Sequence, residues 1–347
     1  LEQEEQIQRY QFMRLVAAAQ NVYLVFQEGR DKEKSRFVEE LIWERQKKHG
    51  RLDAVEITRP GFAVEVRPAR REFAKTPPIL DFLRGHTFSA SSLNLYLRSP
   101  VEFYYRHVLG LEEKEDLLDE PENRQVGTFI HELLQEAFQG FTGRPPVLDE
   151  KFRRRFRKMF DDKFAKTFAR QMKSEAFLLK AVMQARLERF LDHEAGSPQR
   201  RVREVLFIER RFEDTIPLSC GPVKFVYQVD RVDRMQDGSV VLLDYKTGSV
   251  DPMPKDAEII ENMPLSRQNI AENIRSFQMP LYFHYLVRNF PGQSVQAAFY
   301  NLRTVELNYF MKRQGAQEQE RSMRAFLGAL DYVLRELLDP KIPFRDD

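Results

Sequence analysis

Asp230, Asp244 and Lys246 are the residues of this chain whose types and spacing could do chemistry. They lie in residues 223–248, VKFVYQVDRVDRMQDGSVVLLDYKTG. Two carboxylates on neighbouring strands, with a lysine beside one of them, suit a divalent cation with oxygen ligands. Mg²⁺ takes such ligands at about 2.0–2.1 Å and is typically held by one or two carboxylates plus phosphate and water. The lysine would position or activate an attacking water. A plain Asp–Lys pair at a strand end has the same spacing, so spacing alone leaves both readings open.

The element that must position these groups is a β-hairpin. The pattern predicts a first strand over residues 225–232, a turn at Gln236, Asp237 and Gly238, and a second strand over 239–245. The second strand is apolar on both faces until Asp244, which is the pattern of a central strand in a covered sheet. A charge at the end of a buried strand is costly unless it is used. Side chains two apart share a face, so Asp244 and Lys246 point one way and Tyr245 the other. By the same parity Asp230 goes with Gln228 and Val226, and Asp233 falls on the opposite face. A further strand over 203–212 leads into the hairpin. It carries Glu204 and Glu209, the nearest extra carboxylates, and spacing does not choose between them.

Other elements carry candidate groups. Gly127 and His131 are i, i+4 on a helix; a lone helical histidine is more often packed or on the surface than a ligand. Glu132 lies about 100° around that helix and is not counted as a ligand. Residues 151–173 have ten Lys/Arg against Asp161 and Asp162. Phe152, Phe156, Phe160, Phe164 and Phe168 recur every fourth position there, which predicts an amphipathic helix with the rings in the core. Arg153, Arg154, Arg157 and Lys158 then form a cationic face, either for phosphates or simply solvated. Residues 265–290 read as one long helix, with Arg275, Gln278 and Tyr282 along one face and a kink at Pro280. A strand over 294–302 and an amphipathic helix over 316–338 follow. Ser89 is an expected N-cap for a helix over 90–97, and Pro100 starts another. Residues 112–122 read as an exposed acidic loop. Nearer the start, 7–20 reads as a helix, 22–26 as a short buried strand, and Ser35 as the N-cap of a helix over 36–48. Residues 51–85 read as a connector, with a strand over 62–66 and a break at Pro77–Pro78.

With 347 residues, 42% of them apolar, the chain is long enough for one large domain or two ordinary ones. No run approaches the roughly 18 apolar residues of a membrane span. The charged start, LEQEEQIQRY, does not read as a signal peptide and lacks an initiator Met, which predicts an excised piece of a longer protein. Cys220 is the single cysteine, so neither an internal disulfide nor a Cys-based zinc site is possible; this agrees with a cytoplasmic location. The net charge of +2 puts any nucleic-acid signal in local patches. No Walker A motif and no other Gly-rich phosphate loop is present.

Asp230 followed by Asp244-Tyr245-Lys246 resembles the D…(D/E)xK signature of the PD-(D/E)XK nuclease superfamily. The text QVDRVD…VVLLDYKTG is similar to the nuclease domain of RecB- and AddB-type helicase–nucleases, with Gln228 a small departure. Residues 86–110 resemble that domain's opening, Gly127 to His131 its GxxxH motif, and SFQMPLYFHYL its QxxxY motif; the four occur in the family's order. The resemblance implies an α/β (α+β), restriction-endonuclease-like fold: a mixed central sheet flanked by helices, over residues 86–347. Residues 1–85 then form a helicase-tail-like segment and connector. In place of the family's arginine-bearing helicase stretch, residues 16–21 read VAAAQN. The resemblance further implies Mg²⁺, with Mn²⁺ as a substitute, held by His131, Asp230, Asp244 and the Tyr245 carbonyl. Asp230, Asp244 and Lys246 would be catalytic, and Gln278, Tyr282 and Arg275 would contact DNA. Ser99 stands where iron–sulfur members carry a cluster cysteine, so no such cluster is expected within this chain. The implied activity is a deoxyribonuclease, an exonuclease rather than an endonuclease, acting on single-stranded DNA ends beside a helicase domain or subunit in double-strand-break repair and recombination. The competing expectation is a catalytically silent DNA-binding or scaffold subunit with the same fold.

Overall fold

The computed structural model describes residues 2–26, 34–55, 57, 71–111, 123–168, 175–196, 201–248, 252–311 and 315–346. The expected strand over 62–66 and the acidic loop over 112–122 lie outside the described residues. The chain divides into two compact units, Leu1–Arg67 and Pro68–Asp347.

The first unit contains helices α1 (Glu2–Ala18) and α2 (Arg36–His49). Phe12 of α1 stacks on Phe37 of α2, and Arg9 is ion-paired with Glu40. Ser35 occupies the N-cap position of α2 but makes no side-chain cap bond. The expected strand over 22–26 is not formed: the segment has no regular structure and no strand partner among the described residues, and Tyr23 and Val25 are exposed. An apolar run becomes a buried strand only where a neighbouring strand satisfies its backbone groups, and none does so among the described residues.

The second unit begins with strand β1 (Glu72–Phe73) and helix α3 (Pro77–Gly85). The Pro77–Pro78 pair starts α3 and does not break the chain, because the first-turn N–H groups of a helix need no intrahelical acceptor. Strand β2 (Thr87–Phe88) precedes α4 (Ala90–Arg98), where Ser89 and Ser92 form a reciprocal capping box. Helix α5 (Pro100–Phe103) runs on into a π-helical turn over Tyr104–Val108. Then come α6 (Asn123–Phe138), α7 (Glu150–Thr167) and α8 (Glu175–Gly196). Three strands follow: β3 (Val202–Leu218), β4 (Gly221–Met235) and β5 (Val240–Lys246). After α9 (Ala257–Asn262), the expected single helix over 265–290 is two: α10 (Arg267–Asn273) and α11 (Gln278–Asn289). Between them Arg275 takes a left-handed φ of 63°, which no helix interior allows. Pro280 therefore sits in the first turn of α11 and kinks nothing. Strands β6 (Val295–Asn301) and β7 (Glu306–Tyr309), helix α12 (Ala316–Leu338) and strand β8 (Phe344–Arg345) complete the unit.

The main sheet runs β2-β4-β5-β6-β7, with β3 paired along the other edge of β4. β4 is antiparallel to both β3 and β5, β5 is parallel to β6, and β6 is antiparallel to β7. Gly238, at φ 84°, makes the tight β4–β5 turn. β5 is central, and its alternation explains the three layers. Val240 and Leu242 enter one core with α4, α11 and α12, while Val241, Leu243 and Tyr245 enter the other with α6, α7 and α8. The phenylalanine row of α7 is buried in this second core, as its spacing requires. At the far end β1 pairs with β8. Beside that pair Ser99 caps α5 and donates from Oγ to Asp346 at 3.0 Å, while Val101 N donates to the same carboxylate. Cys220 is free, in the β3–β4 turn.

Candidate functional site

The charges converge where α6 meets the end of β5 and the interior of β3 and β4. On β4 the side-chain alternation changes phase: Phe225, Tyr227, Val229 and then Val232 all join the α11 core, while Arg231 turns to the α6–α8 side. The change falls between Val229 and Val232. Asp230 stays with Gln228, whose amide donates to the same Glu209 carboxylate that flanks His131. Asp230 is buried, and its Oδ2 accepts the Tyr245 N–H at 2.6 Å. Opposite, on β3, Glu209 is held at a φ of 41°, a strained value for a non-glycine residue and a further mark of the distortion.

His131 of α6 reaches into this gap. Its Nδ1 lies 3.1 Å from Glu209 and 3.3 Å from Asp230, and its Nε2 lies 3.1 Å from the Tyr245 carbonyl. Helix α6 can approach so closely because Gly127 has no side chain: a Cβ there would lie 3.4 Å from Thr247 Oγ1. His131, Glu209 and Asp230 each bring a ligand atom within 4.8 Å of the others. An open pocket of about 400 Å³, lined by Gly127, Thr128, His131, Glu132, Gln135 and Glu209, leads to them. Burial alone would lower the His131 pKa, but hydrogen bonds and charge from Asp230 and Glu209 overcome it and hold the imidazole up at about 10. The field that does this favours any cation placed there. An imidazole nitrogen with carboxylate and carbonyl oxygens is a donor set that can hold a divalent cation.

Asp244 is not one of that three-residue cluster, but it lies close enough for the Asp230 and His131 charges to act on it. Its Oδ1 accepts from Gln278 Nε2 at 2.6 Å. Its Oδ2 is buried, makes no hydrogen bond, and faces the Lys246 ammonium at 2.9 Å without the alignment of one. Lys246 in turn donates to Gln278 Oε1 at 3.1 Å, so one amide spans the pair. Burial pushes the Asp244 carboxyl up to about 7, the Asp230 charge adds to this, and Lys246 opposes it. Asp230 is raised by burial as well and lowered by His131. Tyr282, one turn along α11, accepts from Gln278 at 3.1 Å and donates to the Gln228 carbonyl.

Behind the site stands a buried ion triad. Arg231 pairs with Asp233 at 2.8 Å and with Glu194 of α8 at 2.7 Å, and its guanidinium lies over the Phe138 ring. Asp233 pairs in register with Val241, whose side chain enters the α6–α8 core, and it is held there by Arg231. Of the two candidate glutamates, Glu209 belongs to the cluster, whereas Glu204 is ion-paired with Arg234. Glu132 points away from the cluster and pairs with Lys163 of α7 at 2.9 Å.

The sequence-predicted DNA contacts are dispersed. Gln278 and Tyr282 join Asp244, but Arg275 lies in the α10–α11 break and reaches the Met253 carbonyl at 3.5 Å. On α7, Arg153 pairs with Asp192 and Arg157 with Glu188, both at 2.6 Å and both on α8. Arg154 and Lys158 are exposed.

A protein of Rickettsia felis without an assigned function is 25% identical over 204 residues, 55% of this chain and 22% of that protein. The B subunit of an ATP-dependent helicase/deoxyribonuclease from Streptococcus uberis is 24% identical over 161 residues, 46% of this chain and 14% of that protein. The chain thus spans less than a quarter of the length of these relatives. A solved structure titled as that of SSO0001 covers 85% of this chain and 86% of its own, at 10% identity and a TM-score of 0.24. The model of the PD-(D/E)XK nuclease superfamily matches residues 87–347, which take in every strand of the main sheet and every group of the cluster. From β2 to its last residues, this chain belongs to the PD-(D/E)XK nuclease superfamily.

Proposed function

We propose that the chain is a divalent-metal-dependent deoxyribonuclease that hydrolyses phosphodiester bonds, with Mg²⁺ as its ion and Mn²⁺ as a substitute. The observation that carries this reading is the convergence of His131 and Asp230 on the backbone of Tyr245, whose chain neighbours are Asp244 and Lys246. His131, Asp230 and Asp244 would hold the ion, with the Tyr245 carbonyl and Glu209 as further oxygen donors. The chemistry such an ion supplies when bound is polarisation of the phosphoryl group and a lowered pKa for a water. Lys246, oriented by Gln278, offers an ammonium to the charge that develops on the phosphate. Gln278 and Tyr282 keep Asp244 and the β4 backbone in register. Through its likeness to one subunit of a helicase/deoxyribonuclease, the reading extends to single-stranded DNA ends, exonucleolytic action, a helicase partner, and a role in break repair and recombination.

The test is cleavage of a labelled single-stranded oligonucleotide by the purified chain with Mg²⁺ or Mn²⁺, and with chelator. Asp244→Asn and Lys246→Ala should each lower the rate by at least about 10²-fold, the scale for losing one preorganised electrostatic group, with circular dichroism unchanged. Undiminished cleavage by either variant would remove these residues from the mechanism.

A further inference from the structure

Helix α8 uses its two exposed faces differently. Glu188 and Asp192 turn toward α7, where Arg157 and Arg153 take them. Arg186 and Arg189, three apart and so on one strip of the helix, are left beside Arg303 of the β6–β7 turn. Arg189 donates to the Arg303 carbonyl at 3.4 Å, which fixes the two segments together. Among the described residues no ion pair involves Arg186, Arg189 or Arg303. Partial burial, then the charges of Arg303 and Arg189, lower the Arg186 pKa. Like charges gathered without a counter-ion are unfavourable in the free protein and become favourable once an anion lies among them.

Their place in the sheet says which anion. Lys246 at the end of β5 pairs in register with Asn301 at the end of β6. Leu302 N donates to the Lys246 carbonyl at 2.9 Å, and Asn301 Oδ1 accepts the Arg303 and Thr304 N–H groups. Arg303 is therefore anchored two residues beyond the partner of Lys246, at the same end of two parallel strands. Helix α8 is fixed to the same strand by His193, whose Nδ1 lies 2.6 Å from Tyr300 Oη. Along that end of the sheet the order is Glu209 and Asp230, then Asp244 and Lys246, then the arginines.

We infer that Arg186, Arg189 and Arg303 form a phosphate-binding subsite that holds the nucleic-acid strand beyond the bond being cleaved. The subsite rests on the nuclease reading for its ligand, but it binds phosphates without chemistry. Guanidinium groups suit phosphate oxygens through paired N–H donors, and binding of this kind is independent of base sequence.

The experiment measures binding of a dye-labelled oligothymidylate by fluorescence anisotropy in chelator, over a salt series. The unsubstituted chain is compared with a variant carrying Arg186→Gln, Arg189→Gln and Arg303→Gln. The slope of log affinity against log salt should become shallower by about 2, at roughly 0.7 for each single-strand phosphate no longer neutralised. In Mn²⁺ the variant should show a raised KM for the oligonucleotide with kcat retained at saturation. Each single variant should carry about a third of the slope change, which guards against a fold defect peculiar to the triple variant. An unchanged slope, or no binding by the unsubstituted chain, would overturn the subsite. Cleavage by the unsubstituted chain reports separately on the nuclease reading: a chain that binds through the arginines and never cleaves would overturn that reading alone.

Discussion

Asp230 and Asp233 share strand β4 but not a neighbourhood. Asp230 accepts from the Tyr245 backbone and lies beside His131, whereas Asp233 is locked to Arg231 deep behind the site. Their substitutions should therefore fail in different ways. Asp230→Asn should abolish metal-dependent cleavage and leave the fold intact. Asp233→Ala leaves the buried Arg231 guanidinium short of a partner and should cost about 3–5 kcal/mol of stability. Urea denaturation and Mn²⁺-dependent cleavage on both variants separate the two; a stable, active Asp230→Asn would show the wrong aspartate in the site. Strand parity alone does not make this choice: regular alternation puts the two aspartates on opposite faces, but the phase change between Val229 and Val232 leaves Asp230 beside His131 of α6 and Asp233 with Glu194 of α8, through Arg231. Glu209 is not singled out by its spacing. Nothing in IERRF reveals the β3–β4 register or the phase change in β4, and both are needed to bring that carboxylate onto His131. Arg231 is equally silent, because its partner Glu194 comes from a helix far away in sequence.

Helix α7 shows how far periodicity reaches. The every-fourth-residue row of phenylalanines predicts a buried face, and Phe152, Phe156, Phe160 and Phe164 are all buried. Phe156→Ala should destabilise the domain by about 3–5 kcal/mol, and Phe156→Asp by more, as read by thermal or urea unfolding. The opposite face has a mixed role. Arg153 and Arg157 hold α8, so Arg153→Gln with Arg157→Gln should cost only about 0.2–1 kcal/mol per pair. Arg154→Gln with Lys158→Gln should leave stability unchanged. If these two touch DNA, the same pair should also flatten the salt dependence of binding by about 0.7 for each phosphate they neutralise. An unaltered slope returns this face to ordinary solvated surface. Long-range pairing sets the limit elsewhere. The apolar run 22–26 has strand composition but no neighbouring strand among the described residues, and the pattern over 265–290 stays helical across a break that Arg275 makes with a left-handed backbone. Local propensity does not register either event, because each is decided by what packs from outside the segment.

At the scale of the whole chain, both hydrophobic cores and every group of the site belong to the unit Pro68–Asp347. A chain starting at Pro68 should therefore keep a single cooperative unfolding transition and the cleavage activity of the full chain. Loss of the transition would show that residues 1–67 are needed for the fold. The three-layer architecture is legible because β5 is apolar on both faces, which requires cover on both sides of the sheet. The β1–β8 pair and the Asp346 bonds to Ser99 and Val101 are not, since they join residues from opposite ends of the domain. The proposed chemistry requires one divalent ion between α6, the interior of β4 and the end of β5. Anomalous diffraction from Mn²⁺-soaked crystals would locate it. A single strong peak is expected within coordination distance of His131, Asp230, Asp244 and the Tyr245 carbonyl, and it should vanish in crystals of Asp244→Asn. A peak elsewhere, or none at saturating Mn²⁺, would refute the proposed metal site.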